Sequence, residues 1–153
     1  MTLSASQHVV LEVVGGLNGG YGPAKLDFIR VLPDGSSQSG AGGLGWRVPA
    51  GQALVVTDVD WQYVHPQAAA YGDKIEVLRL FLENLSAPGN SRRAFESTIT
   101  LSSKGEGGAS ECMRTGFVVS SKARIGVDIS PGPTGPPSGL QHLLLRGYLI
   151  AEV

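Results

Sequence analysis

The chain has 153 residues, 42% hydrophobic and 16% charged, with a formal net charge of −1. That length and apolar content suit one domain, residues 1–153, with a full core, and the near-neutral balance leaves no basic field to gather nucleic acid or an anionic membrane surface. The 22 glycines and 9 prolines fall in clusters between apolar runs, which is the punctuation of an all-β chain.

Residues 8–14, HVVLEVV, read as a strand, and the glycine-dense 15–23 as a loop. In 25–32, alternation puts Leu26, Phe28, Arg30 and Leu32 on one face and Asp27, Ile29 and Val31 on the other. The next segment, 33–43, opens with Pro-Asp-Gly, where proline presets φ and glycine accepts a positive φ, so a turn and a long flexible loop are expected. After a turn at 48–51, the stretch RVPAGQALVVTDVDWQYV (47–64) reads as one long strand. Unbroken alternation there places Asp58 and Asp60 with Leu54, Val56 and Val64, and places Trp61 and Tyr63 on the opposite, core-facing side.

Residues 65–73 read as a loop with room for a short helix, and KIEVLRLFLEN (74–84) as a strand apolar on both faces. In 93–103, Phe95, Ser97, Ile99 and Leu101 alternate with Glu96, Thr98 and Thr100, so one face is wet. A turn is expected at 104–111, strands at 115–121 and 123–130, and a proline-glycine interruption at 131–139. In 123–130, Ala123, Ile125, Val127 and Ile129 share one side. LQHLLLRGYLIAEV (140–153) closes the chain as a strand, again apolar on both faces. Eight or nine strands at this spacing predict an all-β, two-sheet antiparallel sandwich, jelly-roll-like, with no long helix.

Cys112 stands alone and has no intrachain disulfide partner. The N-terminus lacks a cationic start followed by a long apolar run, and no stretch approaches the length of a membrane-spanning helix. Neither a signal peptide nor a membrane span is expected, which favours a cytoplasmic or particle-associated protein.

The segment TGFVVSSKARIGVDISPGP (115–133), followed by LLLRGYLI (143–150) with Gly147, Tyr148 and Leu149 as a Gly-aromatic-Leu pattern, resembles the end of the globular heads of the complement-type and tumour-necrosis-factor-like superfamily. The resemblance covers the C-terminal third only. It implies a jelly roll that trimerises through an apolar face and presents loops to partners. The collagen stalk and secretion signal of that family are missing. GPTGPP (132–137) holds two Gly-X-Y-like triplets, too few to wind a triple helix, and is better read as a proline-stiffened loop.

Candidate chemistry is sparse. Asp58 and Asp60, two apart on a strand, place their Cα atoms about 6 to 7 Å apart on one face, a spacing compatible with a shared cation or an acid and base pair. Charge pairing is the favoured expectation: Arg79 in EVLRLFL and Arg146 in LLLRGYL occupy apolar strands, where a guanidinium needs a carboxylate, so Asp58, Asp60, Arg79 and Arg146 are expected to form a structural charge network. A solvated strand face and a metal or catalytic site are the alternatives.

His8, His65 and His142 show no metal-binding spacing, and His65, preceding Pro66, is expected to shape a loop. No Gly-x-Ser-x-Gly elbow occurs. Arg114 lies close enough in sequence to lower the Cys112 thiol pKa, yet no histidine is near it, so a spectator thiol is expected. The glycines of 15–22 lack the strand-to-helix context and Lys-Ser/Thr of a phosphate loop. Asn84-Leu85-Ser86 is a glycosylation sequon, meaningful only in a eukaryotic secretory pathway.

The chain is thus expected to be a non-enzymatic structural or binding module that forms a symmetric oligomer, a trimer, since its doubly apolar strands need a neighbour as well as a core. A particle component, a decoration protein or a scaffold module fits that description. The competing class is a carbohydrate-binding sandwich using Tyr21, Trp46 and Tyr71; a metal-dependent enzyme on Asp58 and Asp60 ranks third. No cofactor is expected, and the expected partner is the chain itself, with a protein or glycan at the loops.

Overall fold

A computed structural model describes residues 2–15, 26–130 and 139–152. Tyr21, the bulk of the first glycine loop and residues 131–138 lie outside the described residues.

The described residues form nine strands: β1 (His8–Val14), β2 (Asp27–Val31), β3 (Ser37–Gln38), β4 (Gln52–Val64), β5 (Ile75–Asn84), β6 (Ser91–Thr100), β7 (Glu106–Ser120), β8 (Ala123–Ser130) and β9 (Leu140–Ala151). The loop at 65–73 holds one turn of helix, α1 (Ala68–Tyr71), and a 3-10 turn occupies Ala41–Gly43. One sheet has six strands in the order β3-β2-β1-β9-β4-β7, the other three in the order β6-β5-β8. Every pairing is antiparallel.

The all-β sandwich predicted from strand grammar is therefore the observed fold. Its core lies between the sheets: Leu54, Val56, Val59, Trp61, Leu143, Leu145, Val9 and Leu11 from the larger sheet meet Leu78, Leu80, Phe95, Ile99, Ile125 and Val127 from the smaller. Burial of apolar area on this scale is the main stabilising term.

Two expectations change. The long strand does not alternate without interruption, because the pairing of β4 with both neighbours shifts register between Val56 and Asp58. Against β9 Thr57 is the single extra residue of a β-bulge, while against β7 the longer excursion is on β7 itself, residues 113–116, and the parity that faces inward along β4 reverses at Thr57. Leu54 and Val56 point into the core before it, while Val59, Trp61 and Tyr63 do so after it. Asp58 and Asp60 consequently do not share a face with Leu54 and Val56.

Of the expected turn at 104–111, residues 106–111 are strand. The chain turns at 102–105, where the amide of Gly105 donates to the Ser102 carbonyl, and β7 then runs unbroken as an element to Ser120. Its glycines mark close approach: a Cβ on Gly108 would lie 2.5 Å from the Trp61 carbonyl oxygen of β4. Glycine in a strand permits another backbone to come near, and there it mimics the composition of a turn.

Candidate functional site

The face of the six-stranded sheet turned away from the core carries Asp58, Asp60 and Arg146, and the bulge divides it in two. On the Asp58 side, cross-strand register aligns Cys112, Asp58 and Arg146 in one row and Ser110, Asp60 and Leu144 in the next. The Ser110 hydroxyl donates to Asp60 Oδ1 at 3.1 Å, and His142 Nε2 stands 3.7 Å from Asp60 Oδ2. The Thr57 hydroxyl donates to Asp58 at 2.7 Å. A polar groove of about 510 Å³ runs alongside, bordered by Asp60, Gln62, Glu106, Gly108, Ser110 and Gln141.

On the other side of Thr57 the same face is apolar. Register places Val55 between Val118 and Tyr148, and Ala53 beside Ile150. On β1 the residue in register with Tyr148 is His8, while Val10 faces Arg146 in the Asp58 row. Val118 is 52% exposed and Ile150 36%.

The expected four-residue charge network is not assembled. Arg79 belongs to the smaller sheet, where its Nε donates to Glu96 at 3.0 Å and its guanidinium lies 3.8 Å from Asp128, each its direct cross-strand neighbour. Arg146 sits opposite Asp58 in register but is exposed and makes no ion pair among the described residues. The pairs that do stabilise buried charge lie elsewhere. Arg47 binds Asp27 through two hydrogen bonds of 2.9 and 2.8 Å, and Arg124 binds the buried Glu83, which also accepts from the Gly89 amide. Arg47 lies in a loop 20 residues from Asp27, and Arg124 stands across strands from Glu83 at a separation of 41 residues, so alternation within one segment gave no sign of either pair.

Cys112 is exposed, and its thiol pKa is raised by the Asp58 carboxylate that accepts its hydrogen bond. Raising rather than lowering keeps it a poor nucleophile, consistent with a spectator role and opposite to the influence considered for Arg114. Among the described residues no three His, Cys, Asp or Glu side chains gather as ligands of one metal ion.

Of the three aromatic candidates for a sugar platform, Tyr21 lies outside the described residues. Trp46 is only 8% exposed and packs in the core, with the Arg30 guanidinium 5.9 Å from its ring. Tyr71 stacks on the His65 imidazole with centroids 3.7 Å apart, so one face of its ring is taken up by the protein itself.

A further polar cluster was not anticipated. Glu76 lies in the inward row of β5 with Leu78 and Leu80, fully buried, and His65 Nε2 is 3.8 Å from its carboxylate. Tyr63 meets His65 edge-on, with centroids 5.8 Å apart. Burial drives the Glu76 pKa up to about 7, drives that of Tyr63 up to about 12 with the Glu76 charge adding to it, and lowers that of His65. The one available signal in the sequence was a glutamate in phase with a leucine row.

Compared with protein-family models and with curated proteins, the chain matches none. No helix among the described residues is long and apolar enough to cross a membrane.

Proposed function

We propose that the chain is a non-enzymatic jelly-roll module that assembles with copies of itself into a trimer through the outer face of its six-stranded sheet. The carrying observation is the apolar half of that face, where Ala53, Val55, Val118, Tyr148 and Ile150 are brought together by register across three strands, Val118 and Ile150 exposed and Ala53 and Val55 buried. A contiguous apolar surface on a strand-rich, weakly charged chain is what a symmetric partner covers.

Topology supports the jelly-roll form. β1 pairs with β9, β4 with β7 and β5 with β6, the nested pairing of a long hairpin rolled into two sheets. The C-terminal likeness to tumour-necrosis-factor-like heads points the same way, and β9, which carries it, runs through the apolar face with Tyr148 outward and Leu149 inward. In this reading the polar groove beside Asp60 and the loops remain for a protein or glycan partner, and the assembly works in the cytoplasm or on a particle.

Light scattering coupled to size exclusion, at two concentrations and at high salt, tests it. The expected mass is three times the 15.9 kDa chain. A monomer at both concentrations would remove the proposal.

A further inference from the structure

Among the described residues, four polar atoms lie sealed at one end of the sandwich with no hydrogen-bond partner: both carboxylate oxygens of Glu76, His65 Nε2 and the Tyr63 hydroxyl. Buried polar atoms are almost always paired, so such a cluster marks a place where the structure is poised rather than settled. The His65 tautomer follows from its other nitrogen. Nδ1 accepts the Gln67 amide at 2.9 Å, so the ring proton sits on Nε2, directed toward Glu76.

The segment 65–73 covers this cluster. Its imidazole is clamped between Glu76 and the Tyr71 ring, and its backbone is tied by His65 N–H to the Gly105 carbonyl at 2.9 Å and by Asp73 N–H to the Ser102 carbonyl at 3.1 Å. Asp73, at φ 61°, holds a left-handed conformation that a non-glycine residue adopts at a cost. A few bonds at each end and one strained residue make this a segment able to open without unfolding the sheets.

We infer that residues 65–73 form a pH-gated flap, closed while Glu76 carries a proton and released when Glu76 ionises. A protonated Glu76 leaves the cluster uncharged. Loss of that proton puts a carboxylate in a dry site where its facing donors, His65 Nε2–H at 3.8 Å and the Tyr63 hydroxyl, are outside hydrogen-bonding distance. Lifting the flap admits water and relieves the charge.

Among the described residues no cation offsets it within the cluster. The titratable groups facing Glu76 are His65 and Tyr63, with Tyr71 behind the imidazole. β6 presents Ile99 opposite Glu76, and the nearby charged residues Asp73, Lys74, Lys104 and Glu106 are exposed. The raised Glu76 pKa places the release near neutrality.

Amide exchange read by mass spectrometry, with each rate divided by the intrinsic rate at the same pH, tests this on the full chain. Protection across 66–73 is expected to fall about tenfold or more between roughly pH 6 and pH 8.5, while the core strands keep theirs. Glu76→Gln, which mimics the protonated acid, is expected to hold the flap closed throughout. Carbon-13 NMR of the wild-type Glu76 carboxyl supplies a readout independent of that variant's folding: its midpoint should coincide with the loss of protection. Flat protection in the wild type, an equal loss in folded Glu76→Gln, or a carboxyl midpoint displaced from the opening midpoint would each overturn the flap.

Discussion

The Trp61 indole Nε1–H donates to the Ser97 hydroxyl at 2.9 Å, and Ser97 in turn donates to Glu111 at 2.7 Å. This relay joins β4 and β7 of the larger sheet to β6 of the smaller, through a serine buried in a row of Phe95 and Ile99. Ser97→Ala strips the indole and the carboxylate of their common partner and is expected to cost about 2 kcal/mol, read from urea denaturation. A change within about 0.5 kcal/mol would show that the relay contributes nothing net.

Asp27 and Arg47 form a bidentate ion pair in which only the arginine retains partial exposure. Asp27→Ala leaves a guanidinium without its bidentate partner, and the expected loss is about 2 to 4 kcal/mol, the lower end reflecting that exposure. Thermal unfolding at constant pH measures it. Arg79→Ala, whose pairs lie on an exposed strand face, is expected to cost less than about 1 kcal/mol by the same assay.

Gly147 occupies the row where β9 crosses the bulge, and a Cβ there would lie 1.9 Å from the Val55 carbonyl oxygen. Gly147→Ala therefore forces apart two central strands and is expected to destabilise by at least about 3 kcal/mol or to prevent folding. Soluble yield together with the denaturation midpoint would show it.

Stability should depend on pH with opposing signs from two neighbours. Glu76 holds its proton up to about 7 in the folded state, so its contribution is complete below about pH 4.5 and is lost as pH rises through 7, a fall on the order of 3 kcal/mol. His65 is depressed, so folding is penalised as pH falls below about 6.5. Glu76→Gln removes the first effect alone. Its stability relative to wild type should grow steadily from about pH 4.5 to 7, measured by denaturant titration at each pH, and a constant difference would contradict the assignment.

Val118→Asp places a charge in the apolar half of the outer sheet face without touching the core. The expected result is a shift in scattering mass from three chains to one, with the monomer's unfolding midpoint nearly unchanged. An unaltered trimer would move the interface elsewhere.

Alternation and turn chemistry made the strands and the sandwich legible: the inward rows of β6 and β8 are those that the period of two predicts. Two local features defeated the same rule. Thr57 adds a residue within a run of β-formers, and nothing in its type distinguishes it from a regular strand position. Gly108 serves a close backbone approach and Gly107 leaves room for the Ile99 and Leu101 side chains, uses that composition cannot separate from a turn. The charge pairs were illegible for a different reason. Asp27 with Arg47 and His65 with Glu76 meet through loops, whereas Arg79 found cross-strand carboxylates that its own segment does not contain.

The bulge at Thr57 also marks where this chain can vary in length. With Thr57 removed, Val56 and Asp58 would keep the consecutive β9 partners Gly147 and Arg146, and Leu54, Val56, Val59 and Trp61 would all stay inward. A deletion at a regular position of β4 would instead turn every row beyond it to the wrong side. Homologous chains aligned across this strand should therefore accept a one-residue gap at Thr57 more readily than anywhere else along it.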